Sequence, residues 1–474
     1  MSIAAGKDWS SLLREPVADL LRNARQRSGM TQAQVARATG IDPSVVSKYE
    51  LGTRQPSATA LLKIAHAIGM DLRGRASEQD GDCERAADPR THLRVRVLKH
   101  LTSQGFRITA GGAIAPVESD KGKIRQLHTE SVHASRERAR PTLTGIEPKL
   151  LRRLANGAEV RPAEIDPRLV LVENRRSEDG YLWRWCSLHW SIPVSGGYGR
   201  RLRFLVIDKA HDDAVMGIIG LGDPVFALGA RDKTIGWTAE QRTRRLTCVM
   251  DAFVLGAVPP YDSLLGGKLV AMLAGAREVR RAFATRYGHR QTLIADRDPH
   301  AQLALITTIS ALGRSSIYNR LSRPDGTLAL RPAGYTLGSG DFHFSGAIYA
   351  DLAAFASTLL RDGDQSHRNP RWTGDGFRNR REVIIRALEG LGFDSKIMRM
   401  HGVRRQVFLN PLASNTFQWL RGEPGRLDWY PSGTVDLASW WRDRWAVPRS
   451  LRDESWMSVQ RHDWALYGPR GTKY

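Results

Sequence analysis

Large apolar side chains recur every three to four residues near the start of the chain, a spacing that predicts short amphipathic helices. These positions are Leu12, Leu13, Val17, Leu20, Leu21, Val35, Ala36, Val46, Leu61, Leu62 and Ile64. The stretch 73–91 that follows is polar and charged and almost free of large apolar side chains, which is typical of a linker. We therefore predict an all-α head at residues 12–72 and a linker at residues 73–91.

From residue 92 the apolar pattern becomes a mixture of strand-like and helix-like runs. The strand-like runs are Leu202–Ile207, Val215–Leu221 and Val249–Leu255, and the helical stretches are Ser263–Phe283 and Ile348–Leu360. Such alternation predicts a mixed α/β body at residues 92–450. Residues 451–474 are polar with scattered aromatics, and we expect a peripheral tail there. The chain is thus expected to be multidomain.

Two stretches are rich in tryptophan. In WRWCSLHW (183–190) the apolar Trp183, Trp185 and Leu188 alternate with other residues, which predicts a half-buried strand. The stretch WWRDRW (440–445) is predicted to be a packing anchor near the end of the body. Core packing accounts for both stretches, and we assign no chemistry to them.

The composition excludes several classes of protein. Of 474 residues, 41% are hydrophobic, which excludes wholesale disorder. We find no run of about 18 apolar residues that would span a membrane and expect no secretory signal. Cys83, Cys186 and Cys248 lie far apart, which excludes a disulfide scaffold and a Cys-rich zinc site. We expect a cytoplasmic protein without membrane contact, metal or cofactor.

The charge balance points to a polyanionic partner. Lysine and arginine number 71 against 49 acidic residues, a net charge of +22 at pH 7. This exceeds the magnitude of about 2–8 that suits a small soluble domain. Phosphate backbones attract such an excess of cations. We therefore expect the protein to bind DNA as a duplex, and single-stranded DNA stays open as a further partner.

The head carries signals for two helices joined by a tight turn. Thr31 is suited to cap a helix that runs to Thr39, and Gly40 follows as the turn. Asp42 is suited to cap a second helix with Pro43 in its first position. This second helix, which ends near Glu50, is predicted to present its amino end to base edges.

The head resembles the Cro/C1 (XRE) family of helix-turn-helix repressors. The resemblance rests on R-x-x-x-G-M-T-Q, then A-x-x-x-G-I, then S-x-Y-E-x-G-x-R-x-P-S, in that order over about 55 residues. It implies that Gln32 contacts a phosphate and that Arg25 pairs with Glu50. Val46 and Tyr49 are expected to pack against Val35 and Ala36. The candidate DNA contacts of the head are Gln32, Pro43, Ser44, Ser47, Lys48 and Arg54.

Eight stretches of the body resemble the DruA family of the Druantia anti-phage defence system. They are IRQLH (124–128), WSIPVSGGYGRRLRFLVID (190–208), IGLGDPVFALGARDKTIGW (219–237), RLTCVMDAFVLGAVPPYDSLLGGKLVA (245–271), TTISALGRSSIYNRL (307–321), GYTLGSGDFHFS (334–345), HGVRRQVFLNPLASN (401–415) and RWAVPR (444–449). The resemblance implies a defence context and a large helicase-type partner, without an established reaction. The head departs from the family pattern, which lacks a repressor-like module.

One part of the body also resembles GNAT acyltransferases. Residues 249–283 read as a strand, a loop and a helix, which implies a GNAT-like sheet. Asp262 or Ser263 is expected to cap that helix, where a carboxylate would compete with a bound anion. Gly266 and Gly267 then fall inside the helix and permit close packing. We expect the fold likeness to hold and do not expect acyl-CoA binding.

A metal-dependent nuclease is the rival enzymatic interpretation. Such an enzyme needs carboxylates or histidines clustered around a divalent metal. Besides Asp223 and Asp251, the catalytic candidates are Asp232, Asp341 and His343, and the last two share one side if their stretch is a strand. Each is individually expected to be structural, so convergence in one cleft would be required. Whether the body is an enzyme stays open.

Arginines interleaved with aromatic residues give a third interpretation, in which the body binds nucleic acid. The candidates are Arg200, Arg201, Arg203, Arg242, Arg244, Arg245, Arg314, Tyr318, Asn319, Arg320, Arg404 and Arg405. We favour this interpretation, because the acids are too few to pair with every arginine. A repressor with a ligand-sensing body is a further alternative, and a homodimer or a complex with the helicase-type protein stays open.

Overall fold

The computed structural model describes most of the chain, with gaps between the described ranges. These ranges are 17–54, 56, 60, 63–64, 67–68, 88–109, 113–117, 120–194, 199–291, 298–361 and 380–468. Two compact units result, Met1–Ser103 with Arg107–Ala115 and Leu352–Arg399, and Gln104–Phe106 with Pro116–Asp351 and Met400–Tyr474. The predicted domain boundaries do not coincide with these units, because residues 352–399 group with the head. Residues 73–87 of the predicted linker lie outside the described residues.

The helices and strands follow each other in a mixed order. The helices are α1 (Val17–Arg27), α2 (Gln32–Thr39), α3 (Pro43–Glu50), α4 (Pro89–Ser103), α5 (Lys121–Leu143), α6 (Glu147–Leu151), α7 (Glu178–Ser187), α8 (Gly229–Ile235), α9 (Ala239–Arg245), α10 (Gly266–Leu273), α11 (Arg277–Tyr287), α12 (Gly346–Arg361), α13 (Arg380–Gly390), α14 (Ser395–Met398), α15 (Thr416–Leu420), α16 (Thr434–Trp441) and α17 (Val447–Ser450). The strands are β1 (Phe106–Ile108), β2 (Ile114–Pro116), β3 (Pro167–Leu171), β4 (Arg201–Asp208), β5 (Ala214–Gly222), β6 (Val249–Ala257), β7 (Leu305–Ile309), β8 (Arg331–Tyr335) and β9 (Gln406–Pro411). Among the described residues, no helix is both long enough and apolar enough to cross a membrane.

Local capping interactions define the helices of the head. The Thr31 hydroxyl accepts the backbone N–H of Gln34, whose side chain accepts the Thr31 N–H at 2.7 Å, so α2 starts with a capping box. Gly40 ends α2 with a φ of 70°, in the left-handed region that favours glycine. Asp42 caps α3, which has a proline in its first position. These predicted caps are confirmed.

The helices of the head enclose a small apolar core. Val35 and Ala36 of α2 are buried together with Val46 and Tyr49 of α3. Leu21 of α1 belongs to the same buried cluster. The predicted packing of the second helix on the first is therefore confirmed.

A seven-stranded mixed sheet forms the centre of the second unit. Its strand order is β3-β4-β5-β6-β7-β9-β8, and neighbours are antiparallel except for the parallel pair β6 and β7. A parallel pair needs a crossover, which α10 and α11 supply here. Strand β5 is buried at every position, so its sequence is continuously apolar or glycine instead of alternating. The three predicted strand-like runs lie within β4, β5 and β6.

The predicted helix Ser263–Phe283 is in fact two helices, α10 and α11, separated by extended backbone at Ala276. Helix α10 begins three residues later than predicted, so the expected cap at Asp262 or Ser263 is wrong. The Gly266 N–H donates to the Tyr261 carbonyl at 2.8 Å, and a Cβ on Gly266 would lie 2.6 Å from that oxygen. Gly266 therefore serves close packing, as expected, but at the start of the helix.

The predicted strand at 183–190 is wrong, because Trp183 and Trp185 belong to the helix α7. The Trp183 ring packs edge-on against Phe253, and the Trp185 ring packs edge-on against Trp464. A helix that is buried on several sides can show apolar residues two apart, and this pattern is easily mistaken for a strand.

The end of the chain is also more integrated than expected. The Glu147 carboxylate accepts the backbone N–H groups of Leu466, Tyr467 and Gly468 at 2.8, 2.9 and 3.0 Å. It also accepts the Trp185 indole N–H at 2.7 Å. The expectation of a peripheral tail is therefore wrong for the described residues up to 468, since a buried carboxylate requires these donors. The predicted anchor at 440–445 is confirmed, with Trp441 fully buried.

Candidate nucleic-acid interface

One edge of α3 is polar and exposed, from its amino end to Lys48 in its last turn. Pro43, Ser44 and Lys48 are exposed and Ser47 is half-buried, while Arg54 lies exposed beyond the helix. The Ser44 hydroxyl donates to the capping carboxylate of this helix at 2.6 Å, so its oxygen keeps acceptor capacity for a base or phosphate. The geometry is compatible with insertion of this helix end into a major groove.

A three-residue network holds this edge in place. The Arg25 guanidinium donates to both Glu50 oxygens, at 2.7 and 3.1 Å, which confirms the predicted pair between α1 and α3. The Gln32 side-chain amide donates to Glu50 at 2.8 Å. Burial by itself would raise the pKa of Glu50, but hydrogen bonds from Arg25 and Gln32 outweigh it and the pKa is lowered. Gln32 therefore stands beside the amino end of α2 in one fixed orientation, and its phosphate contact stays a prediction.

Two arginines that are candidates for phosphate contact form ion pairs within the protein. The Arg200 side chain donates to Asp223 at 2.5 Å and to the carbonyls of Thr247 and Val249 at 2.6 and 3.1 Å. The Arg242 guanidinium donates to Asp232 at 3.2 Å. Asp223 thus matches the charge of Arg200, whereas Arg242 shares Asp232 with Arg231 and keeps part of its charge for a phosphate.

The stretch 313–320 supplies two exposed cations, Arg314 and Arg320. Tyr318 packs edge-on against Phe408, and burial raises the pKa of its hydroxyl to about 12, so its ring is part of the core. The Asn319 amide donates to the Ser315 carbonyl. Tyr318 is half-buried, so its contact with Phe408 leaves less of the ring for a base, and stacking of Tyr318 on a base stays a prediction.

Arg201 and Arg203 of β4 differ from Arg200 and Arg242 in their surroundings, because each lies opposite a glycine of β5. Arg201 is paired in register with Gly222, and Arg203 with Gly220. A Cβ on Gly222 would lie 2.4 Å from the Arg201 guanidinium, so the absence of a side chain there makes room for it. The two arginines thus lie over a floor of bare backbone.

Aromatic rings flank these two guanidinium groups. The Arg201 guanidinium carbon is 4.5 Å from the centre of the Phe253 ring, and that of Arg203 is 5.2 Å from the Trp183 ring. A Cβ on Gly220 would lie 2.6 Å from Phe253, so the same glycine floor admits this ring. These cation–π contacts hold the two guanidinium groups against the rings, and a role of the two arginines in binding nucleic acid stays a prediction.

No acid within ion-pair distance neutralises Arg201 or Arg203 in the part of the chain that the structure describes. Burial, together with the charges of Arg175 and Arg201, lowers the pKa of Arg203 to about 10. Burial also lowers the pKa of Arg201, although Asp223 raises it in part. Half-buried cations without a matched acid are unfavourable alone, and a bound anion would relieve this cost. We call Arg201 and Arg203 with Gly220 and Gly222 the arginine face.

Arg245, like the two arginines of the arginine face, lies against an aromatic ring. Its guanidinium lies 3.9 Å from the centre of the Trp419 ring, at the end of α9. It forms no ion pair within the described residues, unlike Arg244, which pairs with Glu240 at 2.7 Å. Arg245 therefore stays a candidate for phosphate contact.

The nuclease candidates lie in two different surroundings. Asp232 accepts hydrogen bonds from Arg231, Trp237 and Arg242 at 2.8, 3.1 and 3.2 Å. His343 is fully buried among aromatic rings. Asp341 and His343 lie in a turn, so the strand assumed for this pair is wrong. Asp232 therefore stabilises the loop around α8, and the catalytic role of these three residues stays a prediction.

A cluster of buried histidines was missed at the level of sequence. His128, His343 and His401 are all buried, and Phe342 lies against each of them, with ring centres 3.9, 5.4 and 4.8 Å away. The Arg405 guanidinium lies 2.8 Å from His128 Nε2. Burial lowers the pKa of His128 to about 3 and that of His401 to about 4, with a further contribution from Arg405. The signal was present, since each histidine lies in one of the eight stretches quoted above.

Asp251 is a second unusual group. It lies near the start of β6, accepts the Val225 N–H at 2.9 Å and accepts the hydroxyl of Thr307 on β7. Burial raises its pKa to about 7, and the charge of Asp223 adds to the effect. Arg201, Gly222, Asp251 and Thr307 form one row of register partners across four strands. The carboxyl group of Asp251 is therefore poised to exchange a proton near neutral pH.

Comparison with known proteins identifies the family. The family model described as Druantia protein DruA matches residues 118–422. An Escherichia coli protein described as Druantia protein DruA is 39% identical over 375 residues, which cover 78% of this chain and 90% of that protein. The chain belongs to the DruA family. The arginine face, the buried histidines and Asp251 all lie within the matched DruA range.

The head of this DruA-family chain matches a second model. A helix-turn-helix family model matches residues 21–74, which confirms the predicted Cro/C1-type head. Human endothelial differentiation-related factor 1 is 37% identical over 59 residues, 12% of this chain and 40% of that protein. Multiprotein-bridging factor 1 of Candida albicans is 34% identical over 59 residues, 12% of this chain and 39% of that protein. No solved structure matches the chain.

Proposed function

We propose that this DruA-family chain is a DNA-binding protein of anti-phage defence. The helix-turn-helix head selects a duplex site, and the arginine face of the body binds the phosphate backbone with less regard to sequence. The defence role rests on the family, whose matched relative is named for the Druantia system. The proposal includes docking to a large helicase-type defence protein and pairing of two copies on a two-fold DNA site.

The observation that carries the proposal is the exposed polar edge of α3, which runs from Ser44 near the amino end to Lys48 in the last turn. Ser44 and Lys48 are exposed there, and the network of Arg25, Gln32 and Glu50 fixes this helix against its neighbours. A recognition helix gains specificity only if its orientation is set before binding. The short side chains of this edge offer few strong base contacts, so a second phosphate-binding surface would add to the affinity.

A mobility-shift assay with the full chain tests both parts of the proposal. Selected duplex sites, random duplexes and single strands are compared at a low and a high salt concentration. Lys48→Glu should abolish the preference for the selected site and leave salt-sensitive binding in place. Arg201→Gln with Arg203→Gln should weaken binding to every duplex by a similar factor. Unchanged site preference in Lys48→Glu would show that α3 does not read the DNA.

The GNAT-like alternative concerns the fold of the body. It is supported by the parallel pair β6 and β7 and by α10, which follows β6. At the start of α10, however, the Gly266 N–H is engaged with Tyr261, and a Cβ on Gly267 would lie 3.3 Å from Ile317. The glycines thus contact protein where an acyl-CoA pyrophosphate would need free N–H groups. We therefore propose no acyl transfer.

A further inference from the structure

Three side chains of the kind that bind metals lie together in the second unit, apart from the arginine face. His289 follows α11, and Asp298 and His300 precede β7. One donor atom from each lies within 4.8 Å of the other two. The imidazoles are well exposed, with 80% and 75% of their side-chain surface accessible, so neither is a core histidine.

The distances within this cluster match the edges of a tetrahedron around an ion. His289 Nδ1 lies 3.1 Å from Asp298 Oδ2, and His300 Nδ1 lies 3.6 Å from the same oxygen. Ligand bonds of about 2.1 Å at tetrahedral angles place neighbouring donor atoms about 3.4 Å apart. The two observed distances lie on either side of this value.

Hydrogen bonding alone does not account for this arrangement. The distance from His300 to Asp298 is too long for a hydrogen bond, although that imidazole still points a ring nitrogen at the oxygen. The two imidazole ring centres are 5.4 Å apart and nearly perpendicular. Two imidazoles on one tetrahedral Zn²⁺ would have centres about 5 Å apart. A shared ion explains both separations at once.

The two oxygens of the Asp298 carboxylate have different partners. Asp298 Oδ1 accepts the His300 backbone N–H at 2.8 Å, which holds the carboxylate in place and leaves Oδ2 toward the imidazoles. Within the described residues, neither imidazole has another hydrogen-bond partner. Metal ligands are usually oriented by such outer hydrogen bonds.

We propose that His289, Asp298 and His300 bind one Zn²⁺ or a similar first-row divalent ion. The donor set of two imidazoles and one carboxylate suits Zn²⁺ better than Mg²⁺ or Ca²⁺, which prefer oxygen ligands alone. The fourth position is open to solvent, because both imidazoles are exposed. The ion ties residue 289 to residue 300 directly after α11, whose Tyr287 hydroxyl accepts the Arg201 N–H at 2.8 Å.

Isothermal titration of the untagged full chain with Zn²⁺, after removal of metal by a chelator, tests the proposal. We expect one ion per chain, and His289→Ala or His300→Ala should weaken binding about tenfold or more. Co²⁺ should give the intense visible absorption of a tetrahedral site in the parent chain and lose it in both variants. Circular dichroism checks that the variants are folded.

His133→Ala is the matched control. His133 is also exposed, and its Nε2 lies 3.9 Å from the Glu137 carboxylate. Within the described residues, no third metal-binding side chain joins these two. Zn²⁺ binding should be unchanged in this variant. Absence of Zn²⁺ binding in the parent chain, or an affinity equal to that of the parent chain in His289→Ala and His300→Ala, would overturn the proposal. Because DNA binding is measured separately, either result leaves the proposed function untouched.

Discussion

The Arg201 guanidinium lies 4.5 Å from the centre of the Phe253 ring. Gly222, which pairs with Arg201 on the neighbouring strand β5, has no side chain and so leaves room for this guanidinium. Arg200, the sequence neighbour of Arg201, is instead held by Asp223 and two backbone carbonyls. Two adjacent arginines therefore differ in the charge that they can offer to a ligand. The arginine face depends on this difference, because a phosphate competes poorly for a guanidinium that already has an acid partner.

Substituting the arginine face should reduce the salt dependence of DNA binding. Arg201→Gln and Arg203→Gln each remove one cation without a matched acid, so the slope of log affinity against log salt should fall by about 1 per residue. The measurement is fluorescence anisotropy with a random duplex over a salt series. Arg244→Gln is the control, since Arg244 already pairs with Glu240. A slope that is equal in all three variants would place the phosphate contacts elsewhere.

Two substitutions in the head should separate DNA contact from stability. Lys48→Ala should weaken binding to the selected site and leave the free energy of unfolding unchanged, because Lys48 is exposed. Gln32→Ala should weaken binding and also destabilise the head, because it removes a hydrogen bond to the buried Glu50. Anisotropy and hydrogen exchange of α1 and α3 measure the two effects. If Gln32→Ala leaves exchange unaltered, its bond to Glu50 does not stabilise the head.

Removal of the buried acid of the head should be costly. Glu50→Ala leaves the Arg25 guanidinium without its partner, and breaking a buried ion pair in this way costs about 3 kcal/mol. Amide exchange in α1 and α3 should accelerate about a hundredfold as a result. Glu240→Ala is the control, because its pair with Arg244 is exposed and should matter little. Equal exchange in both variants would contradict the importance of the buried pair.

The buried histidines should make the protein sensitive to acid. Because the pKa values of His128 and His401 are lowered to about 3 and about 4, both stay neutral in the folded state at pH 5. The unfolded chain binds protons there near the ordinary value of 6.5, so stability is lost as the pH falls below about 6.5. His128→Gln should remove roughly half of this pH dependence in urea denaturation. Because His133 is exposed, His133→Gln should keep the pH dependence of the parent chain. If the free energy of unfolding depends on pH equally in both variants, the buried histidines are not its cause.

Asp251 should change the pH dependence of stability in the direction opposite to that of the buried histidines. Its folded pKa of about 7 exceeds the ordinary value of 3.8, so the folded state holds a proton that the unfolded state has lost. Stability contributed by the protonated form is present below pH 3.8 and declines as the pH rises toward 7. Asp251→Asn keeps an oxygen acceptor for Thr307 and should be relatively more stable at pH 8 than at pH 4. Urea denaturation at these two values should reveal the change, and a constant difference would mean that Asp251 is ionised throughout.

Much of the candidate site depended on long-range pairing that a sequence pattern does not contain. Arg200 was expected to contact phosphate, but it pairs with Asp223, 23 residues away along the chain. Arg242 shares Asp232, ten residues away, with Arg231. Tyr318 matched a base-stacking pattern, yet it is half-buried against Phe408. The sequence did point to Arg201, although it held no sign that glycines of the next strand would lie opposite. Which side chain stays available is a property of its neighbours in space.

Local chemistry was sufficient to predict the head, because its caps at Thr31, Gly40 and Asp42 join residues at most four apart. The same holds for the strands β4, β5 and β6, whose sequences are mostly apolar, with β5 continuously apolar or glycine. The helix at Trp183 and the meeting of His128 with His401 were beyond such reasoning. A buried helix and a half-buried strand can carry the same spacing of apolar residues, and contacts between distant segments follow from sheet register and loop closure. Those long-range contacts, and not residue type, distinguish an arginine that binds within the fold from one that can bind DNA.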